Sequence, residues 1–204
     1  MSKGYTTRQQ IENYLLITID SSFYTQVDSW ITQIEKYIDQ LTGRNFVADT
    51  VASERLFDGN NCNIMPIGDC ISITEVKQGD GTNNSVSSEW DLLVKDEDYM
   101  EYPANHTADD LPISELRKLG QIFQRGFQNL KIKAKWGYSI AVPEDIMTVA
   151  TVLVAGIINY SLNAEGEVKS MAIGRYNVTY KDEKQWQDFD RIKGILEYYK
   201  KYDL

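Results

Sequence analysis

The sequence predicts an α+β protein: a mainly helical frame, an inserted antiparallel β-subdomain, and a C-terminal β-hairpin followed by a helix. Three observations lead there. Apolar residues recur every three or four positions near both ends of the chain. Between residues 52 and 140 the texture changes to short alternating segments broken by Gly, Asn, Asp and Pro. A second pair of alternating segments precedes the last helical stretch. The boundaries read as 1–51 for the N-terminal helical part, 52–140 for the insert, and 141–204 for the helix–hairpin–helix part.

In chain order, residues 2–7 read as a loose arm and residues 7–17 as a short helix with Ile11, Tyr14 and Leu15 on one face. Asp20, Ser21 or Ser22 supplies an N-cap for a second helix reaching Leu41. Phe23, Val27, Trp30, Ile31, Ile34, Tyr37, Ile38 and Leu41 form its apolar stripe, and Gly43 follows at the left-handed capping position. In the insert, strands are expected at 54–57, 71–76, 90–94, 120–123 and 130–138. Asp58-Gly59 and Gly79-Asp80-Gly81 are turn signals, and 82–89 and 104–110 read as exposed loops. The segment 128–138 alternates Leu130, Ile132, Ala134 and Trp136 against Lys131, Lys133 and Lys135, which predicts one buried face and one lysine face.

Pro143 reads as the first helical residue, with Glu144 and Asp145 suited to the positive end of the helix dipole. That helix runs to Leu162; Val149, Leu153, Val154, Ile157 and Ile158 cover much of its circumference, so it should be central. Its 17-residue apolar run, 146–162, contains Thr, Asn, Tyr and Ser and reads as a buried helix, not a membrane span. Residues 167–181 read as a hairpin, with Val168, Met171 and Ile173 on one arm, Tyr176, Val178 and Tyr180 on the other, and Gly174-Arg175 near the turn. The final helix, 184–202, places Trp186, Phe189, Ile192, Leu196 and Tyr199 on one face.

Composition narrows the function. With 42% hydrophobic and 11% aromatic residues, the 204-residue chain has ample material for a core. Its net charge of −9 argues against a protein that grips nucleic-acid phosphates and predicts weak binding to duplex DNA at physiological salt. Residues 1–10 contain no apolar signal-peptide core, so Cys62 and Cys70 are expected as reduced thiols.

No cofactor or metal spacing is present, and no catalytic constellation. Glu54, Asp58, Asp96, Glu97 and Asp98 sit near turns, where solvated loop carboxylates are the simpler reading than a glycosidase pair. Asp58-Gly59-Asn60-Asn61 lacks the periodic ligands and terminal Glu of a calcium loop. His106, in a polar loop, has no Ser or Cys nucleophile motif beside it and reads as a surface histidine.

Four passages, taken in order, resemble the head-to-tail connector, or adaptor, proteins of tailed bacteriophages. These are Gln33-Ile34-Glu35-Lys36-Tyr37-Ile38-Asp39 running into Leu41-Thr42-Gly43-Arg44-Asn45-Phe46; the strand 132–138 leading into Val142-Pro143-Glu144-Asp145-Ile146; the hydrophobic helix that follows; and Ser170-Met171-Ala172-Ile173-Gly174-Arg175-Tyr176-Asn177-Val178-Thr179-Tyr180 with the last helix. The resemblance implies a non-enzymatic virion protein, assembled in the host cytoplasm. It implies a ring, commonly of twelve copies, in the neck between capsid and tail. The partners it implies are the portal above and a stopper or tail-completion protein below; DNA would pass through the lumen without specific binding, and no membrane is involved. Two alternatives stand beside it: a stopper or tail-terminator of the same neck, and a ligand-binding β module. A ring subunit must bury apolar surface against its neighbour, and aromatics are enriched at such contacts. The candidates for neighbour or partner contacts are Trp30, Met171, Tyr176, Trp186, Tyr198, Tyr199 and Tyr202.

Overall fold

A computed structural model describes residues 2–79, 89–162, 169–173, 176–180 and 183–201; within 160–189, the side chains of residue 160 and of 162–189 lie outside the description. The chain is α+β and divides into two compact units, one of Met1–Arg44 with Val142–Leu204, the other of Asn45–Ala141.

The helical unit starts with an arm that is not loose. Glu35, buried on the second helix, accepts hydrogen bonds from the Ser2 hydroxyl and from the backbone N–H groups of Lys3, Gly4 and Tyr5. Tyr5 is fully buried and its hydroxyl donates to Asp39 at 2.5 Å. The expectation of a free arm fails because its anchor lies some thirty positions along the chain, on another element. Helix α1, Arg8–Leu15, begins with a capping box: Thr7 Oγ1 accepts the Gln10 N–H while Gln10 Oε1 accepts the Thr7 N–H. Asp20 caps a short 3-10 turn, Ser21–Phe23, through the Ser22 N–H, and α2 follows as Tyr24–Thr42. Val27, Ile31, Ile34 and Ile38 are its buried stripe, and Gly43 ends it at φ 67°, donating its N–H to the Asp39 carbonyl.

Helix α3 spans Glu144–Leu162. The Met147 N–H bonds back to the Pro143 carbonyl, so Pro143 precedes the first helical residue instead of occupying it. Ile146, Val149, Ala150, Leu153, Val154 and Ile158 are buried, and α3 packs against α1, α2, α4 and β8. Ile157 is only half-buried, at the margin of that face. The hairpin pairs β7, Lys169–Ile173, with β8, Tyr176–Tyr180, antiparallel. Val168 and Gly174-Arg175 lie outside the described residues. Helix α4 is Glu183–Tyr199, with Ile192 and Leu196 buried. Among the described residues no helix is long and apolar enough to cross a membrane.

The β unit holds β1 (Ser53–Gly59), β2 (Ile64–Gly79), β3 (Trp90–Leu93), β4 (Tyr99–Tyr102), β5 (Ile113–Lys118) and β6 (Gly126–Trp136). All pairings are antiparallel, in the order β1-β6-β2-β5-β4, with β3 added to β2. The long strand β2 changes partners along its length. Its first half pairs with β5, and from Cys70 onward it pairs with β6, with register shifts at 66–70, 70–72 and 73–75. Such bulges bend a strand so that it can serve two stretches of sheet around one core. That core contains Met65, Ile67, Val76, Ile113, Leu116 and Phe123 from the surrounding elements. From β6 come Leu130, Ile132, Ala134 and Trp136, all essentially inaccessible, as the alternation requires.

The expected strand at 120–123 does not exist. Phe123 is buried from an irregular loop, its N–H bonding to the Cys62 carbonyl and its own carbonyl accepting from Asn61. Strands β4 and β5 stand where no strand was expected. Gly59 ends β1 where a Cβ would lie 1.8 Å from the Gln124 carbonyl oxygen. Its N–H donates to the buried Asn129 Oδ1 at 2.8 Å, and Asn129 Nδ2 donates to Gln124 O at 2.9 Å. Cys62 is exposed and Cys70 buried, and no disulfide joins them. Gly79 closes β2, whereas 80–88 lie outside the described residues.

Candidate interaction surface

Of the aromatic candidates, Tyr198 and Tyr199 come together at the end of α4. Tyr198 is 79% exposed, Tyr199 is half-buried, and their rings meet edge-on with centroids 5.1 Å apart. Arg44 Nε donates to the Tyr199 carbonyl at 2.6 Å, and the Lys201 N–H donates to the Thr42 carbonyl at 2.7 Å. The end of α4 is thereby fastened to the end of α2, with Tyr198 facing outward. Trp30 is half-buried, twelve residues before Thr42 on α2, about 18 Å along the helix at 1.5 Å per residue. It is not part of the tyrosine group. The side chains of Met171, Tyr176 and Trp186, and all of Tyr202, lie outside the described residues.

Two further surfaces stand out, one missed by the sequence reading and one that it showed only in part. The first is the corner between α1 and α2, where Tyr14, Leu16, Ile17, Phe23 and Tyr24 are exposed. Leu16 is 90% exposed because it adopts the left-handed conformation, φ 55°, that ends α1. Arg8 covers the Tyr24 ring at 4.0 Å and pairs with Asp28 at 3.2 Å.

The second is the outer face of the β unit. With Leu130, Ile132, Ala134 and Trp136 inward, Lys131, Lys133 and Lys135 face outward. The register then adds Glu54 and Leu56 from β1 and Glu75 and Lys77 from β2. Strand β3 contributes Trp90 and Leu92. Lys131 Nζ lies 4.3 Å from the Trp90 ring centroid. The Glu75 carboxyl is held below the usual carboxylate range, chiefly by its hydrogen bond from Lys77, with the charges of Lys133 and Lys131 adding. The lysines of β6 were visible in the sequence; their neighbours were not, because non-local pairing sets the register.

Two of the five turn carboxylates serve the backbone. Asp58 accepts the Gln128 N–H at 2.6 Å and Asp98 the Val94 N–H at 2.7 Å. His106 is not a plain surface residue: its side chain is 18% exposed, and Nε2 lies 3.4 Å from the buried Glu101 carboxylate, which also pairs with Lys95. Among the described residues no group of three His, Cys, Asp or Glu is placed to hold a metal ion. Lys118 is buried on β5, donating to the Gln78 side chain, and burial pulls its pKa down.

No family model matches the chain, and no curated protein matches it in sequence. Among solved structures, it is similar to a chain described as belonging to the neck of an empty GTA (gene transfer agent) particle computed with C6 symmetry. The TM-score is 0.57 at 9% identity, over 98% of this chain and 91% of that one. The two chains share a fold, helical frame and β unit together.

Proposed function

We propose that the chain is a non-catalytic structural subunit of the neck of a tailed bacteriophage or related particle. In this reading it forms the connector, or adaptor, ring that docks on the portal and extends the DNA channel toward the tail. The observation that carries the reading is the fold likeness to a neck chain over nearly the whole length of both chains. A ring of twelve copies, like one of six, accommodates the C6 symmetry of that neighbour. The net charge of −9 suits a wall past which DNA slides without sticking. Exposed aromatic surface at Tyr198 suits contact with a neighbour or a partner. The subunit belongs to the virion, with the portal above and a stopper or tail-completion protein below.

The test is position. A small tag fused to this chain, imaged by electron microscopy of intact particles, is expected as a ring of density between head and tail. Density at the tail tip or in the shell overturns the reading, and density directly beneath a separate adaptor ring reassigns the chain to the stopper position. Hydrolysis of cell-wall or nucleic-acid substrates by the pure chain, abolished by one carboxylate substitution, overturns its non-catalytic character.

A further inference from the structure

We propose that the lysine-bearing outer face of the β unit receives the acidic turn 94–98 of the next copy around the ring. The inference rests on the ring reading above and names the contact that closes it.

The receiving face is built for a carboxylate-tipped protrusion. Lys131, Lys133 and Lys135 stand along β6, with Lys77 beside them on β2. Against these four ammonium groups the same face carries two carboxylates, Glu54 and Glu75, and Glu75 is already bonded to Lys77 at 2.8 Å. The surplus is positive on a chain whose net charge is −9. Leu56 and Leu92, both exposed, flank the lysines and offer apolar area at the rim. Four cations interleaved with acids and leucines, on an acidic protein, make a poor track for a phosphate backbone. They make a good site for a protein surface of opposite sign.

The turn supplies that surface. Asp98 is used internally, its carboxylate accepting the Val94 N–H and its own N–H bonding to the Val94 carbonyl at 2.8 Å. Asp96 takes the left-handed conformation, φ 67°, and donates its N–H to the Tyr99 carbonyl. The turn is thus held in shape by its own hydrogen bonds, with Asp96 and Glu97 exposed at its tip. Alternation along β3 puts Trp90 and Leu92 on the lysine face and Asp91 on the opposite one. Donor and receiver are made of different residues of one copy, the arrangement of a head-to-tail contact, which closes into a ring when the rotation per copy divides the circle.

The test uses the whole purified chain, mixed as equal parts of ¹⁴N- and ¹⁵N-labelled protein at high concentration and treated with a zero-length carbodiimide. The expected product is a mixed-isotope link between the peptides carrying Lys131, Lys133 or Lys135 and the peptide carrying Asp96 and Glu97, fading with added salt. Lys131→Glu with Lys133→Glu should abolish the link, as should Asp96→Lys with Glu97→Lys. Mixing those two variants should restore a link between the same segments. Lys131→Gln with Lys133→Gln, a milder change on an outward face, guards against misfolding and should also reduce the link. Absence of mixed-isotope links between these segments in the parent chain overturns the proposal, whether the chain stays single or associates elsewhere. Rings in micrographs cross-linked through other segments overturn it while the neck reading stands. A duplex-DNA mobility shift abolished by the lysine variants, without protein–protein links, overturns it in favour of nucleic acid.

Discussion

The buried carboxylate of Glu35 accepts the backbone N–H of Tyr5 at 3.0 Å, thirty residues away in sequence. It also gathers the N–H groups of Lys3 and Gly4, so one side chain on α2 organises the whole N-terminal arm. Hydrogen bonds to a charged acceptor are stronger than neutral ones, and deleting the acceptor leaves the N–H donors behind it unsatisfied. Glu35→Ala is therefore expected to destabilise the helical unit by roughly 2–4 kcal/mol in urea melts. Limited proteolysis should then cut between residues 2 and 7; an arm as resistant as the parent's would contradict the anchoring. Glu35→Gln, which keeps one acceptor oxygen, should be milder.

Leu153 and Ile157 share a face by spacing but not by burial, since Leu153 is buried and Ile157 half-buried. Leu153→Ala should cost about 2–5 kcal/mol, the range for a buried leucine. Ile157→Ala should cost roughly half as much, because part of its surface already meets water. Equal losses for the two variants in denaturant melts would place Ile157 in the core.

Gly59→Ala places a methyl group against the Gln124 carbonyl oxygen, which belongs to the backbone and cannot swing aside. A loss of about 2–3 kcal/mol in the β unit is expected. Asn129→Ala, which removes the acceptor of the Gly59 N–H and the donor to Gln124, should cost about 1–3 kcal/mol. Thermal melts that leave either variant at the parent midpoint would refute the close approach.

Burial pushes the Tyr99 phenol from its ordinary 10.0 up to about 12, with Glu101 and Asp96 adding to it. A raised folded-state pKa contributes stability that is complete below pH 10 and is lost as pH climbs from 10 toward 12. The buried Lys118, its cross-strand partner, has a lowered pKa, so its own contribution has the opposite sign and rises with pH below 10.5. Tyr99→Phe should flatten the alkaline loss between pH 10 and 12 without altering the Lys118 contribution. An unchanged alkaline limb in pH-dependent melts would contradict this.

Tyr198 is exposed enough that Tyr198→Ala should change stability by less than about 0.5 kcal/mol. In the proposed neck, Tyr198→Ala with Tyr202→Ala should give folded subunit and filled but tailless heads. Normal tailed particles for that pair, and for a second pair at Met171 and Tyr176, would remove the end of α4 and the hairpin from the interface.

Much of this fold was legible because local patterns and tertiary burial agree. The 3.6-residue stripe of α2 ends on Gly43 as its capping preference dictates, and β6 alternates in sequence as it does in the structure. What escaped was set at a distance. Strands β4 and β5 bury Glu101 and Lys118, so a reading that sends charge outward hides their alternation. Pro66 and Gly68 look like breakers, yet they lie inside β2, where the strand bends between partners. The interaction surfaces divide the same way: the lysine row of β6 could be read directly, whereas Lys77 and Trp90 join it only through pairing register.

The β unit begins and ends at neighbouring points. The Tyr138 N–H bonds to the Asn45 carbonyl, and Val47 bridges Ser139. A segment whose two ends meet is a cassette in genetic terms: it can be lengthened, shortened or exchanged between lineages without rethreading the chain that carries it. Selection can then act on the lysine face and the acidic turn as one transferable piece, at a tempo separate from that of the helices.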